Sequence, residues 1–128
     1  MALPSAYAQY NNSKILTASP AELTLMLYEG AIKFGNMAIM AIDEKNVEKA
    51  HINIVKAQKI IYHFRITLDM NYPVAQDFER VYAYLADRLV QADVHKDKEI
   101  MEEVCTHLRS MRDTWKEVMR INREKGKV

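Results

Sequence analysis

SPAELTLMLYEGAIKFGNMAIMAI, residues 19–42, predicts one long α-helix with a well-defined beginning. Ser19 can cap the helix, Pro20 fits its first position, and Glu22 follows at the third, so the free N–H groups of a helix start are satisfied or avoided. Apolar side chains then follow two opposite sides of the helix. One series is Leu23, Leu27, Gly30, Phe34, Met37 and Ala41, and the other is Leu25, Tyr28, Ile32, Ile39 and Ile42, with Gly35 in the gap. Because a helix that is apolar nearly all round packs against several neighbours, we expect this one, ending near residue 42, at the centre of the fold.

Three further helices are predicted downstream of this segment. Asn46 can cap a helix over residues 47–69, which ends before Pro73 because a residue that precedes proline avoids the α region. A third helix covers residues 74–93, and Asp97 caps a fourth that continues into a basic tail ending at Lys127. The side chains expected to face the core are Val47, Ala50, Ile54, Ala57, Ile61, Phe64 and Leu68, then Phe78, Val81, Leu85, Leu89 and Ala92, then Met101, Val104, Leu108, Met111, Trp115 and Val118. Four helices with short connections predict an all-α, antiparallel four-helix bundle.

The composition places this bundle in one domain and narrows its functional classes. Residues 1–18 show no sustained period and form a leader, and residues 19–128 form the helical domain. With 18 basic and 17 acidic residues the net charge is +1, which provides no field for attracting nucleic acid. A single cysteine, Cys105, suits a reducing compartment, and the first residues do not resemble an export signal. We therefore expect a cytoplasmic protein, without membrane insertion, because no apolar stretch approaches the roughly 18 residues that a membrane span needs.

Chemistry-bearing residues are scattered in the sequence. Glu48 and His51 match the Glu-x-x-His motif of di-iron bundles, but that architecture needs the motif on two helices and further inward glutamates. Here the motif occurs once, and it lies beside the core-facing positions of its helix. The sequence contains no Gly-rich phosphate loop, and Cys105 is expected to be a partly buried small residue. We predict no catalytic residues, no metal site and no cofactor, and hence no enzyme.

The second predicted helix carries more apolar surface than a bundle requires. Opposite its core-facing side, a second apolar stripe is interrupted by Lys59 and consists of Ile52, Val55, Tyr62 and Ile66. An exposed apolar patch indicates an interaction site or an aggregation hazard. The leader could cover this stripe through Tyr7 and Tyr10, or a partner helix could dock on it. Another helix of the same bundle, or a homodimer seam, remains an alternative.

Several motifs closely resemble the FliS family of flagellar secretion chaperones. They are TASPAELTLMLYEGAIKF at 17–34, KAQKII at 56–61, LD at 68–69, YAYLADRLVQA at 82–92, KD at 96–97 and LRSMRDTWKE at 108–117. Tyr7 and Tyr10 match the paired tyrosines of the family's leader. The resemblance covers nearly the whole chain in the right order. The chain departs from the family at Asp87-Arg88, where two basic residues are frequent, and around residues 65–73, which affects partner selectivity rather than fold.

The resemblance implies a cytoplasmic chaperone that binds the C-terminal segment of flagellin in apolar grooves. Binding would prevent early polymerisation and present flagellin to the flagellar export apparatus. On this interpretation Ile52, Val55, Tyr62 and Ile66 line one groove together with Tyr82, while Tyr7 and Tyr10 form a displaceable lid. The alternative function is a homo-oligomeric structural bundle without cargo.

Overall fold

The computed structural model describes residues 17–126, and these form four α-helices. The helices are α1 (Pro20–Asp43), α2 (Val47–Thr67), α3 (Ala75–His95) and α4 (Lys98–Lys125). The predicted all-α four-helix bundle is confirmed, and no strand occurs between residues 17 and 126. Tyr7 and Tyr10 of the leader, and Lys127 of the basic tail, lie outside the described residues.

The helix starts follow the local capping chemistry that the sequence predicts. Ser19 accepts a hydrogen bond from the backbone N–H of Glu22 at 3.1 Å. Asn46 caps α2 through the N–H of Lys49 at 3.1 Å, and Asp97 caps α4 at 3.2 Å. The start of α3 has no side-chain cap. All three predicted caps are confirmed, because such hydrogen bonds depend on residues only three positions apart.

The four helices form a ring in which each packs against two neighbours. α1 contacts α2 and α4, and α3 also contacts α2 and α4, so α1 and α3 lie diagonally opposite. The prediction that α1 occupies the centre is therefore wrong. One side of α1 faces solvent, including Met40 at 56% exposure. The other members of this exposed side are Glu22, Glu29, Lys33 and Asn36.

The apolar surface of α1 is nevertheless unusual. By length and composition alone α1 is apolar enough to cross a membrane, contrary to the prediction that no stretch of the chain is. In the bundle, the buried side chains of this helix pack against its neighbours instead. Its fully buried members, Ala31, Ala38 and Ala41, are small, so the neighbouring helices approach its backbone closely.

The core is tightest in the half of the bundle that contains the α1–α2 and α3–α4 connections, which we call the closed half. Gly35 of α1 lies so near α4 that an added Cβ would stand 2.5 Å from the Sγ atom of Cys105. Glycine is required there by the close approach of the two helices. The side chains of this half with 0% exposure include Ala38, Ala41, Ala50, Leu89, Ala92, Met101 and Cys105.

The opposite half, which contains the start of α1 and the end of α4, is less completely packed, and we call it the open half. Phe78 is 43% exposed, Val81 38% and Val118 37%. These three residues were predicted to be core residues, and the structure corrects that assignment. Val47, also predicted to face the core, is 60% exposed because it occupies the first turn of α2. The open half consequently contains apolar side chains that are available to a partner.

Candidate protein-binding site

An apolar cleft opens between α3 and α4 in the open half of the bundle. Its volume is about 430 Å³, and α1 forms its floor. The cleft is large enough for several side chains of a peptide or helix, and most of its lining atoms belong to apolar side chains. The lining residues are Tyr28, Phe78, Val81, Ser110, Met111, Thr114, Trp115 and Val118.

The cleft begins where the direct contacts between α3 and α4 end. Tyr84 donates a hydrogen bond to Glu103 Oε2 at 2.5 Å, and Arg88 donates to Glu103 Oε1 at 2.9 Å. One turn further along α4, the ring of His107 meets Tyr84 edge-on with centroids 6.0 Å apart. These contacts fix the spacing of α3 and α4 on the closed-half side of the cleft. The contact between Arg88 and Glu103 is an ion pair.

Beyond these contacts, small polar side chains on α4 leave space. Ser110 and Thr114 line the cleft together with Phe78 and Val81 of α3. Serine and threonine have too little volume to fill the gap between two helices, so the larger α3 side chains remain half-exposed. Trp115 cannot close the gap, because its Nε1–H donates to the backbone carbonyl of Ala21 at 2.9 Å and holds the indole toward α1.

An aromatic cluster lies beneath the cleft and reaches its floor through Tyr28. The hydroxyl groups of Tyr28 and Tyr82 are hydrogen-bonded at 2.9 Å across the bundle. The ring of Phe64 lies 4.6 Å from that of Tyr28 and 5.5 Å from that of Tyr82. Burial raises the pKa of both tyrosines, so both hydroxyl groups stay protonated at neutral pH. Packed aromatic rings of this kind give the cleft a rigid base.

Tyr82, which was predicted to line a groove, belongs to this buried cluster. It is only 5% exposed, and it does not line the cleft. Because Tyr82 reaches neither the cleft nor the outer surface, we remove it from the set of surface contacts. Its position follows from the diagonal packing of α1 and α3, which the spacing of apolar residues does not reveal.

A second, more polar depression of about 320 Å³ adjoins the cleft around Trp115 and Val118. It runs along the end of α4 to the start of α1, where Ser19 and Ala21 form one wall and Arg123 another. The leader therefore joins the bundle at the rim of the apolar surface.

The second apolar stripe on α2 is exposed, as its spacing predicted. Ile52 is 45% exposed, Tyr62 64% and Ile66 61%, whereas Val55 is half-buried. His51 and Ile52 border a shallow depression of about 190 Å³ that also includes Val55, Lys56 and Lys59. Among residues 17–126 no other helix covers Ile52, Tyr62 and Ile66, so the alternative that another of the four helices covers them is wrong.

A hydrogen bond and an ion pair connect α2 to α3 beside this stripe. His51 Nδ1 lies 2.7 Å from Asp93 Oδ2, and Arg65 lies 2.6 Å from Glu79 Oε1. Together these two contacts fix the antiparallel register of α2 and α3. His51, once considered with Glu48 as a metal ligand, thus contacts a carboxylate of α3. Between residues 17 and 126, no three histidine, cysteine or acidic side chains come together.

Sequence reasoning missed the cleft because its residues carry the same periodic signal as a core. Phe78, Val81 and Met111 repeat with that period, but the structure places them around a gap. The signal that could have revealed it is the pair Ser110 and Thr114, which flank the apolar stripe of α4 on the cleft side.

Cys105 is fully buried, and burial raises the pKa of its thiol.

A helical bundle with an open apolar cleft and a separate apolar stripe has the features of a protein-binding module. The family model described as flagellar protein FliS matches residues 3–122. The chain therefore belongs to the FliS family.

Several curated relatives support this membership. The chain is 36% identical to the flagellar secretion chaperone FliS of Bacillus subtilis over 97% of its own length and 93% of the relative's. It is 31% identical to FliS of Escherichia coli, covering 88% and 85% of the two chains, and 30% identical to FliS of Salmonella typhimurium, covering 88% and 87%. The family has a chaperone role in flagellar export and is not a family of enzymes.

Proposed function

We propose that this protein is a holding chaperone that binds the C-terminal segment of flagellin in the cytoplasm and delivers it to the flagellar export apparatus. The observation that carries the proposal is the cleft of about 430 Å³ between α3 and α4, with half-exposed Phe78, Val81 and Val118 on its walls. An amphipathic segment that inserts apolar side chains there would complete the core of the open half. Family membership supports a secreted flagellar protein as the cargo.

The energetics favour a cargo segment that orders on binding. Folding a disordered segment costs several kcal/mol, and burial of apolar area returns about 25 cal/mol per Å². The cleft alone offers a limited area, so a segment that continues to a second apolar surface would gain more. The stripe of Ile52, Val55, Tyr62 and Ile66 on α2 is that second surface in our proposal.

The leader acts as a displaceable lid in this proposal. Ser19 and Ala21 line the depression beside Trp115, so Tyr7 and Tyr10, which precede them in the chain, are within chain reach of the cleft. Amphipathic tyrosine side chains can cover apolar surface while keeping their hydroxyl groups hydrated. Removal of residues 1–16 is expected to tighten cargo binding, because the cargo would no longer compete with the leader.

The first experiment is a calorimetric titration with a peptide that covers the C-terminal segment of flagellin from the same organism. We expect saturable one-to-one binding with a negative heat-capacity change, because apolar area is buried. Absence of binding by a folded monomer would contradict the flagellin assignment. Light scattering in the same buffer tests the alternative function, since a stable dimer that hides the α2 stripe would favour a structural bundle without cargo.

Paired aspartate variants locate the binding surface. Val81→Asp puts a charge in the cleft, whereas Val94→Asp puts the same charge at a 69% exposed position of the same helix. Tyr62→Asp tests the α2 stripe, and Tyr72→Asp is its control, since both tyrosines are 64% exposed. We expect Val81→Asp and Tyr62→Asp to weaken binding at unchanged helicity, and the two controls to bind as the unmodified protein does.

A further inference from the structure

The hydrogen bond between Tyr28 and Tyr82 uses only one of the two hydroxyl protons. Each phenol carries one donor and can accept, so a pair that shares a single bond leaves one O–H without an acceptor. Within residues 17–126, neither hydroxyl group has another hydrogen-bond partner. Both side chains are 5% exposed. An unused donor at this depth is costly unless something reaches it.

The two tyrosines differ in their access to the cleft. Tyr28 lines the cleft, and Tyr82 does not. If Tyr82 donates to Tyr28, the remaining proton belongs to the residue that touches the cleft. Either hydroxyl group can donate in the shared bond. Only donation by Tyr82 leaves the remaining proton on the residue that lines the cleft, where a ligand can accept it.

We infer that Tyr28 is a specificity-determining residue that donates a hydrogen bond from the floor of the cleft to an oxygen acceptor on the bound segment. The inference rests on the proposed function, in which a polypeptide segment occupies the cleft. The surrounding walls are mostly apolar, so a single buried donor discriminates strongly: a segment that places only methyl groups over Tyr28 leaves the donor unsatisfied.

The required acceptor is a carbonyl-type or hydroxyl oxygen. The interior of a helix has no free main-chain carbonyl, because each one already accepts a bond from the N–H four residues later. The segment must therefore bring either a polar side chain or an unpaired carbonyl at a helix end to this point. Tyr28 thereby sets the register of the cargo along the cleft, which apolar contacts alone fix poorly.

Removal of single hydroxyl groups tests the inference. Tyr28→Phe keeps the ring packed on Phe64 and deletes the donor, whereas Tyr82→Phe leaves the Tyr28 hydroxyl in place. With the flagellin peptide, we expect Tyr28→Phe to bind roughly 5- to 30-fold more weakly than the unmodified protein, and Tyr82→Phe to change affinity by less than about 3-fold. Equal affinity of Tyr28→Phe and the unmodified protein, or equal losses in both variants, would overturn the inference.

The double variant Tyr28→Phe/Tyr82→Phe guards against a folding defect, since it leaves no hydroxyl group without a partner. It should be as stable as the unmodified protein and bind as weakly as Tyr28→Phe.

Failure of the unmodified protein to bind the peptide would refute the proposed function itself, whereas a difference between variants is informative only about Tyr28. Alanine replacement of each polar side chain of the peptide then separates the two sources of acceptor. If one alanine variant of the peptide binds Tyr28→Phe and the unmodified protein equally well, the side chain it removed is the acceptor. If every alanine variant still binds Tyr28→Phe more weakly than the unmodified protein, the acceptor is a main-chain carbonyl.

Discussion

The closed and open halves of the bundle are built from the same four helices but are packed differently. In the closed half, alanines at 38, 41, 50 and 92 have 0% exposure, and Gly35 admits the Sγ atom of Cys105 against the α1 backbone. In the open half, large side chains such as Phe78 and Trp115 surround a cleft. Small residues bring helix backbones together, and large ones hold them apart where no complementary side chain fills the space.

The difference indicates a division of tasks between stability and binding. A fully packed region gains the dispersion and burial terms that stabilise the fold. A region with half-exposed apolar side chains gains those terms only when a partner supplies the missing atoms. Substitutions in the closed half should therefore change stability, and substitutions in the open half should change binding.

The largest expected effect compares Leu89→Ala with Phe78→Ala. Leu89 has 0% exposure and Phe78 is 43% exposed, although both lie on α3. Leu89→Ala should lower the free energy of unfolding by about 2–5 kcal/mol, because it leaves a cavity in a packed core. Phe78→Ala should lower it by about 1 kcal/mol, since much of the ring is already in water. Urea unfolding followed by circular dichroism measures both values.

Peptide affinity should show the reverse order for the same two variants. Phe78→Ala removes part of the cleft wall and should weaken flagellin-peptide binding about 10-fold. Folded Leu89→Ala should bind with nearly unchanged affinity. If both substitutions altered stability and affinity in proportion, the two halves would act as one cooperative unit and the proposed division would be wrong.

Gly35→Ala tests the tight packing of the closed half with a smaller change. The new Cβ would lie 2.5 Å from Cys105 Sγ, and overpacking of this kind costs about 1–3 kcal/mol. Part of that cost is offset by about 1 kcal/mol from the better helix propensity of alanine. Gly30→Ala is the matched control, because its Cβ would meet Ile60 at 3.5 Å, an ordinary contact. We expect Gly30→Ala to be neutral or stabilising and Gly35→Ala to destabilise.

A double variant identifies the cause of the Gly35→Ala effect. Cys105→Ala removes the Sγ atom, so Gly35→Ala/Cys105→Ala should be more stable than the two single changes predict when added, by about 1–2 kcal/mol. Additive effects would show that the cost comes from elsewhere in the α1–α4 contact.

The sequence predicted those features that depend on neighbours along the chain. Caps such as Asn46 and Asp97 form between residues three positions apart, so they can be inferred locally. The exposure of Tyr62 and Ile66 followed from counting apolar stripes on α2, because one stripe suffices for the core. The sequence motifs that resemble the FliS family also predicted the family, which the family model confirms.

The features that were missed depend on distant parts of the chain. Val81 and Val118 repeat with the period of core residues, and only the spacing of α3 and α4 makes them line a cleft. The gap between them also depends on the hydrogen bond from Trp115 to Ala21, 94 positions away, which holds the indole toward α1. The central position expected for α1 failed for a similar reason: the width of an apolar stripe does not specify which helices cover it.

The smallest expected effect concerns Glu103, which ties α3 to α4 at the boundary between the two halves. The hydrogen bond from Tyr84, followed by that from Arg88, holds the pKa of Glu103 below its ordinary value of 4.5. A depressed folded-state pKa stabilises the fold above the ordinary value, and this contribution is lost as the pH falls through the folded-state pKa. Because the side chain is 35% exposed, the contribution should be below about 1 kcal/mol. Glu103→Gln should therefore be slightly less stable than the unmodified protein at pH 7, and the difference should shrink as the pH falls below 4.5 and through the folded-state pKa. Urea unfolding at each pH measures it, with Glu29→Gln on the exposed side of α1 as the control for net charge. Parallel stability curves for Glu103→Gln and the unmodified protein from pH 7 to pH 3 would mean that this carboxylate does not link the two helices, and that the edge of the cleft is set by apolar packing alone.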